Sequence, residues 1–252
     1  MNLELFKKAG TINRQAINLG FQIARPGLNL LELDHALESY ILDHGGKPAF
    51  KNYLGFPGTA CLSVNEEIVH APPKDYILQD GDLLTIDIGT KCEDYCTDAA
   101  ETRCIGQNSK FKNHLLNVVH GTLKSQLSVV RNGCSLYDIL MAGLSYAKNV
   151  NLNIFHQFGG HAIGTKVHEE PFIPHGIDEQ LLQNAKDVIM QNYKSHILKN
   201  GQIICLEPIG TFGSTEIIKS QDGWTYLTKD QSLSAHFEHC VLIQENGYEI
   251  IS

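Results

Sequence analysis

The chain has 252 residues, 42% hydrophobic and 19% charged, which is enough to bury a core and too apolar for a disordered segment. Lys plus Arg number 20 and Asp plus Glu 28, a formal charge of −8, so there is no general footprint for nucleic acid or for an anionic membrane surface. No apolar run approaches a membrane-spanning length, and the opening segment carries Glu4, Lys7 and Lys8 where a signal peptide needs an apolar stretch, so a cytoplasmic protein is expected.

In chain order, the first third reads as helical. Leu30, Leu33, Leu37 and Ile41 recur at helical spacing behind Asn29 and Glu32, a capping-box pattern, and His44-Gly45-Gly46 is the stop. Ala60 to Asn65 reads as a strand, and Pro72-Pro73 then interrupts regular structure. Leu83 to Gly89 is a strongly apolar strand with Thr97 to Ile105 as its expected antiparallel partner. Ser109 has the character of an N-cap for a helix through Leu115, Val119, Leu123 and Val130 that ends at Asn132-Gly133. Ser135 opens another helix through Ile139 and Leu144. After the glycine-rich run Phe158 to Gly164, a helix is expected from Asp178 to about Leu198. Further strands are expected at Ile203 to Ile209, Trp224 to Lys229 and Ala235 to Gln244, and Glu245-Asn246-Gly247 turns the last into Tyr248 to Ile251. This order predicts an α+β fold in one domain over residues 1–252, with helices backing a mainly antiparallel sheet. The seven cysteines include no Cys-x-x-Cys and read as reduced, mostly buried thiols.

Three acids stand where a core should be. Asp87 lies in Leu83-Leu84-Thr85-Ile86-Asp87-Ile88, Glu207 in Ile203-Ile204-Cys205-Leu206-Glu207, and Glu238 directly before the strand residues Cys240-Val241-Leu242. An unpaired ionised carboxylate in such a setting costs several kcal/mol. Each acid could instead face solvent on a half-buried sheet. Three acids in three such strands favour a site, and a cluster of metal ions would supply the positive charge. His161, set among glycines that permit close approach, is a further candidate, with His168 seven residues on. His175 and His239 are undecided, and the only tryptophan, Trp224, taken alone reads as core.

Taken together, these segments resemble the type I methionine aminopeptidases of the pita-bread fold. The motifs appear in the family's order: Asn65-Glu66-Glu67-Ile68-Val69-His70, Asp87, Asp98, Gly160-His161-Ala162-Ile163-Gly164, His168-Glu169-Glu170-Pro171, Leu206-Glu207-Pro208, and Asp222-Gly223-Trp224-Thr225 through to Glu238-His239. The resemblance implies removal of N-terminal methionine from peptides and nascent chains with a small second residue. It implies five ligands, Asp87, Asp98, His161, Glu207 and Glu238, for two divalent ions (Co, Mn, Fe or Zn) that activate a water. Glu207 would also act as general base and acid, His168 would stabilise the oxyanion, and His70 would face the scissile nitrogen. Tyr53, Cys61 and Trp224, with Phe50 and Val167, would line an apolar methionine pocket. A monomer is expected, with transient ribosome association to which the charge of −8 lends no support.

Several positions depart from the family pattern. Phe50 is larger than expected, Val167 smaller, Ala162 replaces a usual glycine, and the helix near 178–198 is an additional segment. Two other readings stay open: an Xaa-Pro peptidase of the same fold, and a pita-bread protein that binds peptides without cleaving them.

Overall fold

The computed structural model describes residues 2–252, with the backbone alone for 179–186. Its helices are α1 (Leu3–Ile23), α2 (Leu30–Asp43), α3 (Lys110–Leu127), α4 (Leu136–Asn149) and α5 (Glu179–Ser195). The sequence did not single out α1. Its buried face runs Phe6, Ala9, Ile12, Asn13, Ala16, Ile17 and Gly20, a helical stripe diluted by small residues and one asparagine. Asn29 does cap α2 by accepting from the Leu31 amide at 2.8 Å, but its own amide donates to Asp75 and Glu32 returns no bond. A full capping box forms instead at α4, between Ser135 and Asp138.

Two antiparallel sheets carry the rest. In the first, Leu83–Cys92 pairs with Tyr95–Cys104 along its whole length on one edge, and with Ala60–Val64 and Lys47–Pro48 on the other. In the second, five strands lie in the order Gly247–Ile250, His239–Gln244, Ile203–Leu206, Gly159–Ala162, Glu169–Pro174. Two three-stranded ribbons complete the fold, one of Ser234–His236, Ile209–Thr211 and Asn153–Ile154, the other of Ile217–Lys219, Tyr226–Thr228 and Glu67–Val69. Two expected strands are broken. The Ile203 to Ile209 run stops at Leu206 and resumes at Ile209, and the Ala235 to Gln244 run is interrupted at Phe237-Glu238. Both breaks fall on an acid that stands out in the sequence.

Each sheet has one face on helices and the other on its partner. Leu84, Ile86 and Ile88 join Ala16 and Ile17 of α1 and Leu33, Leu37 and Ile41 of α2 in one buried cluster. Ile204, Leu206, Val241 and Ile243 join Leu123 and Leu127 of α3 and Ile139 of α4 in another. Between the sheets lie Phe50, Phe56, Cys61, Ile203, Cys205, Cys240 and Leu242. The Glu238 amide donates to the Ala100 carbonyl and the Cys96 amide to that of Gly164, which ties the two sheets together at this seam. No helix among the described residues is long and apolar enough to cross a membrane.

Leu37 is fully buried under the first sheet, away from the seam. Leu37→Ala should lower the unfolding free energy by about 2–5 kcal/mol in urea titration.

Candidate metal centre

Strand alternation decides which side chains enter the seam. Because Leu84, Ile86 and Ile88 face the helices, Asp87 faces away from them. Asp98 pairs with Gly89, two residues from Asp87, and Cys61 pairs with Asp87 itself, so all three share that face. In the second sheet Ile204 and Leu206 face the helices, which turns Cys205 and then Glu207 the other way. His161 and Cys240 both pair with Cys205, and Glu238 lies two residues before Cys240, so they point into the same seam. Two ladders facing each other therefore bring Asp87, Asp98, His161, Glu207 and Glu238 together.

The cluster is short of positive charge. Ligand atoms of Asp87, Asp98 and Glu238 lie within 4.8 Å of one another, and so do those of His161, Cys205 and Glu238. One oxygen each of Asp87, Asp98 and Glu238 is buried with no hydrogen-bond partner. Among the described residues no Lys or Arg forms an ion pair with any of the four carboxylates. Glu207 meets only imidazoles, with Oε1 at 3.4 Å from His161 Nε2 and Oε2 at 3.8 Å from His236 Nε2. Burial pushes the Asp87 carboxyl up to about 7, and burial with mutual repulsion holds those of Asp98, Glu207 and Glu238 well above the usual range. Orphaned oxygens, one imidazole and no basic side chain make a donor set that fits divalent cations of intermediate hardness. The Cys205 thiol, pushed well up by burial, stays protonated and hydrogen-bonds Glu238.

Above the cluster lies a cavity of about 150 Å³ with an apolar wall of Phe50, Tyr53, Leu54, Phe56, Cys61, Val69 and Trp224. Phe50 packs over Gly89, where a Cβ would sit 2.5 Å from its ring. Trp224 meets Phe56 edge-on with centroids 5.3 Å apart, and an Asp222 turn anchors it through the amides of Trp224 and Thr225. The lip includes Leu54, 83% exposed and left-handed at φ +49. His70, left-handed at φ +61, and His168 open onto the mouth. The His168 ring lies 4.4 Å from that of His161, and its Nδ1 is 3.2 Å from the Tyr53 hydroxyl.

Eleven of the residues that the sequence singled out line this cavity: Phe50, Tyr53, Cys61, His70, Asp87, Asp98, His161, His168, Glu207, Trp224 and Glu238. Val167 does not. It is buried in the apolar cluster behind the wall, among Phe50, Phe56 and Ile163. Sequence reasoning missed Leu54, Phe56 and Val69 in the wall, and His236 beside Glu207. For His236 a signal was present, since it stands two residues before Glu238 and shares its parity.

The pattern of metallopeptidase family M24 matches residues 4–245. The chain is 32% identical over 252 residues to the methionine aminopeptidase of Mycoplasma capricolum, covering 99% of this chain and 95% of that one. The chain belongs to metallopeptidase family M24 and, within it, to the methionine aminopeptidases. The crystal structure of methionine aminopeptidase from Rickettsia prowazekii superposes with a TM-score of 0.89 at 29% identity, over 98% of this chain and 94% of that one. A prolidase from Pyrococcus furiosus shares the pita-bread fold (TM-score 0.76, 20% identity) across 99% of this chain but 63% of its own.

The buried groups titrate in opposing senses. The four carboxyls hold protons in the folded chain that the unfolded chain, with carboxyl pKa values near 4, has released, so their stabilisation is full below about pH 4 and is lost as pH rises through 7 and beyond. Burial lowers His161 to about 4 and His175 and His236 to about 3, so these rings cost stability only below about pH 6.5, where the unfolded chain protonates them. Above about pH 7.5 the imidazoles no longer oppose the carboxyl slope, and the buried Cys61 and Cys205 thiols, also pushed well up, act in the same sense. The melting temperature of chelated protein should therefore fall between about pH 7.5 and about 8.5, and saturating Mn²⁺ should reduce the slope. A flat profile without metal would contradict this electrostatic account.

Proposed function

We propose that the protein removes the N-terminal methionine from peptides and nascent chains whose second residue is small. The observation that carries this reading is the position of the carboxylate-imidazole cluster on the floor of a small apolar cavity. About 150 Å³ is the volume in which an apolar protein cavity takes up benzene, so the pocket has room for a thioether side chain and little more. Aromatic and thiol walls suit a soft sulfur.

Asp87, Asp98, His161, Glu207 and Glu238 would hold two divalent ions, whose total of +4 matches four carboxylates. When bound, such ions supply acidity that ionises water at neutral pH and a Lewis acid for the scissile carbonyl. The chain's own groups do the rest. The cavity takes one side chain and closes beyond it, so the substrate's free amine lies against the cluster and the reaction is exopeptidic. Glu207, at the junction of the cluster and the mouth, takes the proton of the attacking water and returns it to the departing amine. His168, oriented by the Tyr53 hydroxyl, donates to the carbonyl oxygen as charge develops there. His70, across the mouth, faces the departing nitrogen. The second side chain then lies between the His70 and His168 rings, which limits its size. Nascent chains at the ribosome and peptides in the cytoplasm are the substrates this chemistry calls for.

Mass spectrometry on Met-Ala, Met-Leu, Ala-Ala and Ala-Pro peptides tests the reading. Metal-dependent release of methionine from Met-Ala alone is expected. Cleavage of Ala-Pro, or equal rates on Met-Ala and Met-Leu, would overturn it. Glu207→Gln should lower kcat by about 10²- to 10⁴-fold with little change in KM, as expected for loss of a general base.

A further inference from the structure

His175 has no part in the chemistry above, yet it is buried to 1% exposure directly behind the cluster. Its Nε2 accepts two backbone hydrogen bonds, from the amide of Gly160 at 3.0 Å and from that of Glu207 at 2.9 Å. Gly160 precedes His161, and Glu207 is itself one of the five ligands. The ladder between their strands covers Ala162 with Ile204 and His161 with Cys205, and stops short of Gly160 and Leu206. One ring nitrogen therefore continues the tie between two ligand-bearing segments where strand pairing stops. Gly160 leaves the room for this. A Cβ there would lie 3.1 Å from Nε2 and 2.1 Å from the Cys205 carbonyl oxygen.

On the ring's other side, Nδ1 lies 2.9 Å from the side-chain amide of Gln126, a fully buried residue of α3. A neutral imidazole has one donor and one acceptor. With Nε2 accepting, Nδ1 must carry the hydrogen, which requires the Gln126 side-chain amide in its reversed orientation, with the carbonyl oxygen, otherwise without a partner, towards the ring.

We propose that His175 is a positioning residue of the metal centre: its Nε2 holds the His161 and Glu207 segments in ligating register, and Gln126 fixes the tautomer that makes this possible. The inference rests on the metal-centre reading above, so its test reads metal binding as well as turnover. Imidazole ¹⁵N NMR of the intact chain, assigned by loss of the signal in His175→Gln, should show the Nδ1–H tautomer. An Nε2–H tautomer would overturn the proposal without recourse to any substrate.

Calorimetric titration with Mn²⁺ gives the second measurement. His175→Phe keeps a ring and loses the acceptor. It should weaken Mn²⁺ binding about 10- to 100-fold and lower kcat on Met-Ala peptides by a similar factor, with KM nearly constant. His175→Gln, whose side-chain oxygen offers two lone pairs, should restore both to within about 3-fold of the parent protein. Unchanged Mn²⁺ affinity in folded His175→Phe, or a His175→Gln variant as weak as His175→Phe, would overturn the proposal. If His175→Phe does not fold, Gln126→Met replaces it, with about 10-fold weaker Mn²⁺ binding expected and parental binding contradicting. The expected Mn²⁺ results without cleavage of any methionyl peptide would support the clamp and count against the aminopeptidase reading instead.

Discussion

Four carboxyl groups buried between two sheets, with no ion pair to Lys or Arg among the described residues, are the constraint around which the rest of this structure is arranged. Desolvation alone makes the ionised cluster untenable, and mutual repulsion adds to the cost. The chain can meet that cost in two ways, by holding protons or by holding cations. One oxygen each of Asp87, Asp98 and Glu238 has no hydrogen-bond partner, and cations would give each of them one. The fold is in this sense specified for a state it completes only by binding.

The scaffold meets this demand by dividing labour between faces. Helices α1 and α2 cover one sheet, α3 and α4 the other, and the hydrophobic burial in those two layers is independent of the seam. The seam can then accommodate polar residues on alternate positions of both ladders. Rigidity comes from paired strands on each side and from the Glu238–Ala100 backbone bond across them. The same seam supplies the apolar wall, since Cys61, opposite Asp87, and Phe50, over Gly89, continue the carboxylate-bearing face outward. In the proposed function, recognition of an apolar side chain and activation of its peptide bond are properties of one surface.

Legibility in the sequence obeys the same physics. Asp87, Glu207 and Glu238 stood out because each interrupts an apolar run, and an incongruity of that kind needs no structure to be seen. Asp98 did not, because its neighbours Thr97, Glu101 and Thr102 are polar as well. It is placed by register with Gly89, a tertiary fact, and entered the sequence reading only through family resemblance. The strands around Glu207 and Glu238 were read as continuous because hydrophobicity carries on past Pro208 and Phe237. At both breaks the chain crosses between the second sheet and the ribbon of Ile209–Thr211 and Ser234–His236, and at the first Pro208 has no N–H with which to continue the ladder. Helix α1 was hidden by a buried face of alanine, glycine and asparagine, whose burial comes from close approach to the first sheet. His175 was illegible as a partner of Glu207 because nothing local distinguishes a buried imidazole that clamps backbone from one that fills space. The Asn29-Glu32 pattern marked the true start of α2, since Asn29 caps it, but Glu32 does not return the bond to the Asn29 backbone.

The most direct test of the central claim is anomalous diffraction from crystals of the protein grown with Mn²⁺. The account predicts two manganese peaks in the seam, contacted by Asp87, Asp98, His161, Glu207 and Glu238. Absence of any peak there, with the four carboxyl groups hydrogen-bonded to one another, would show that protons alone satisfy the cluster and would contradict it.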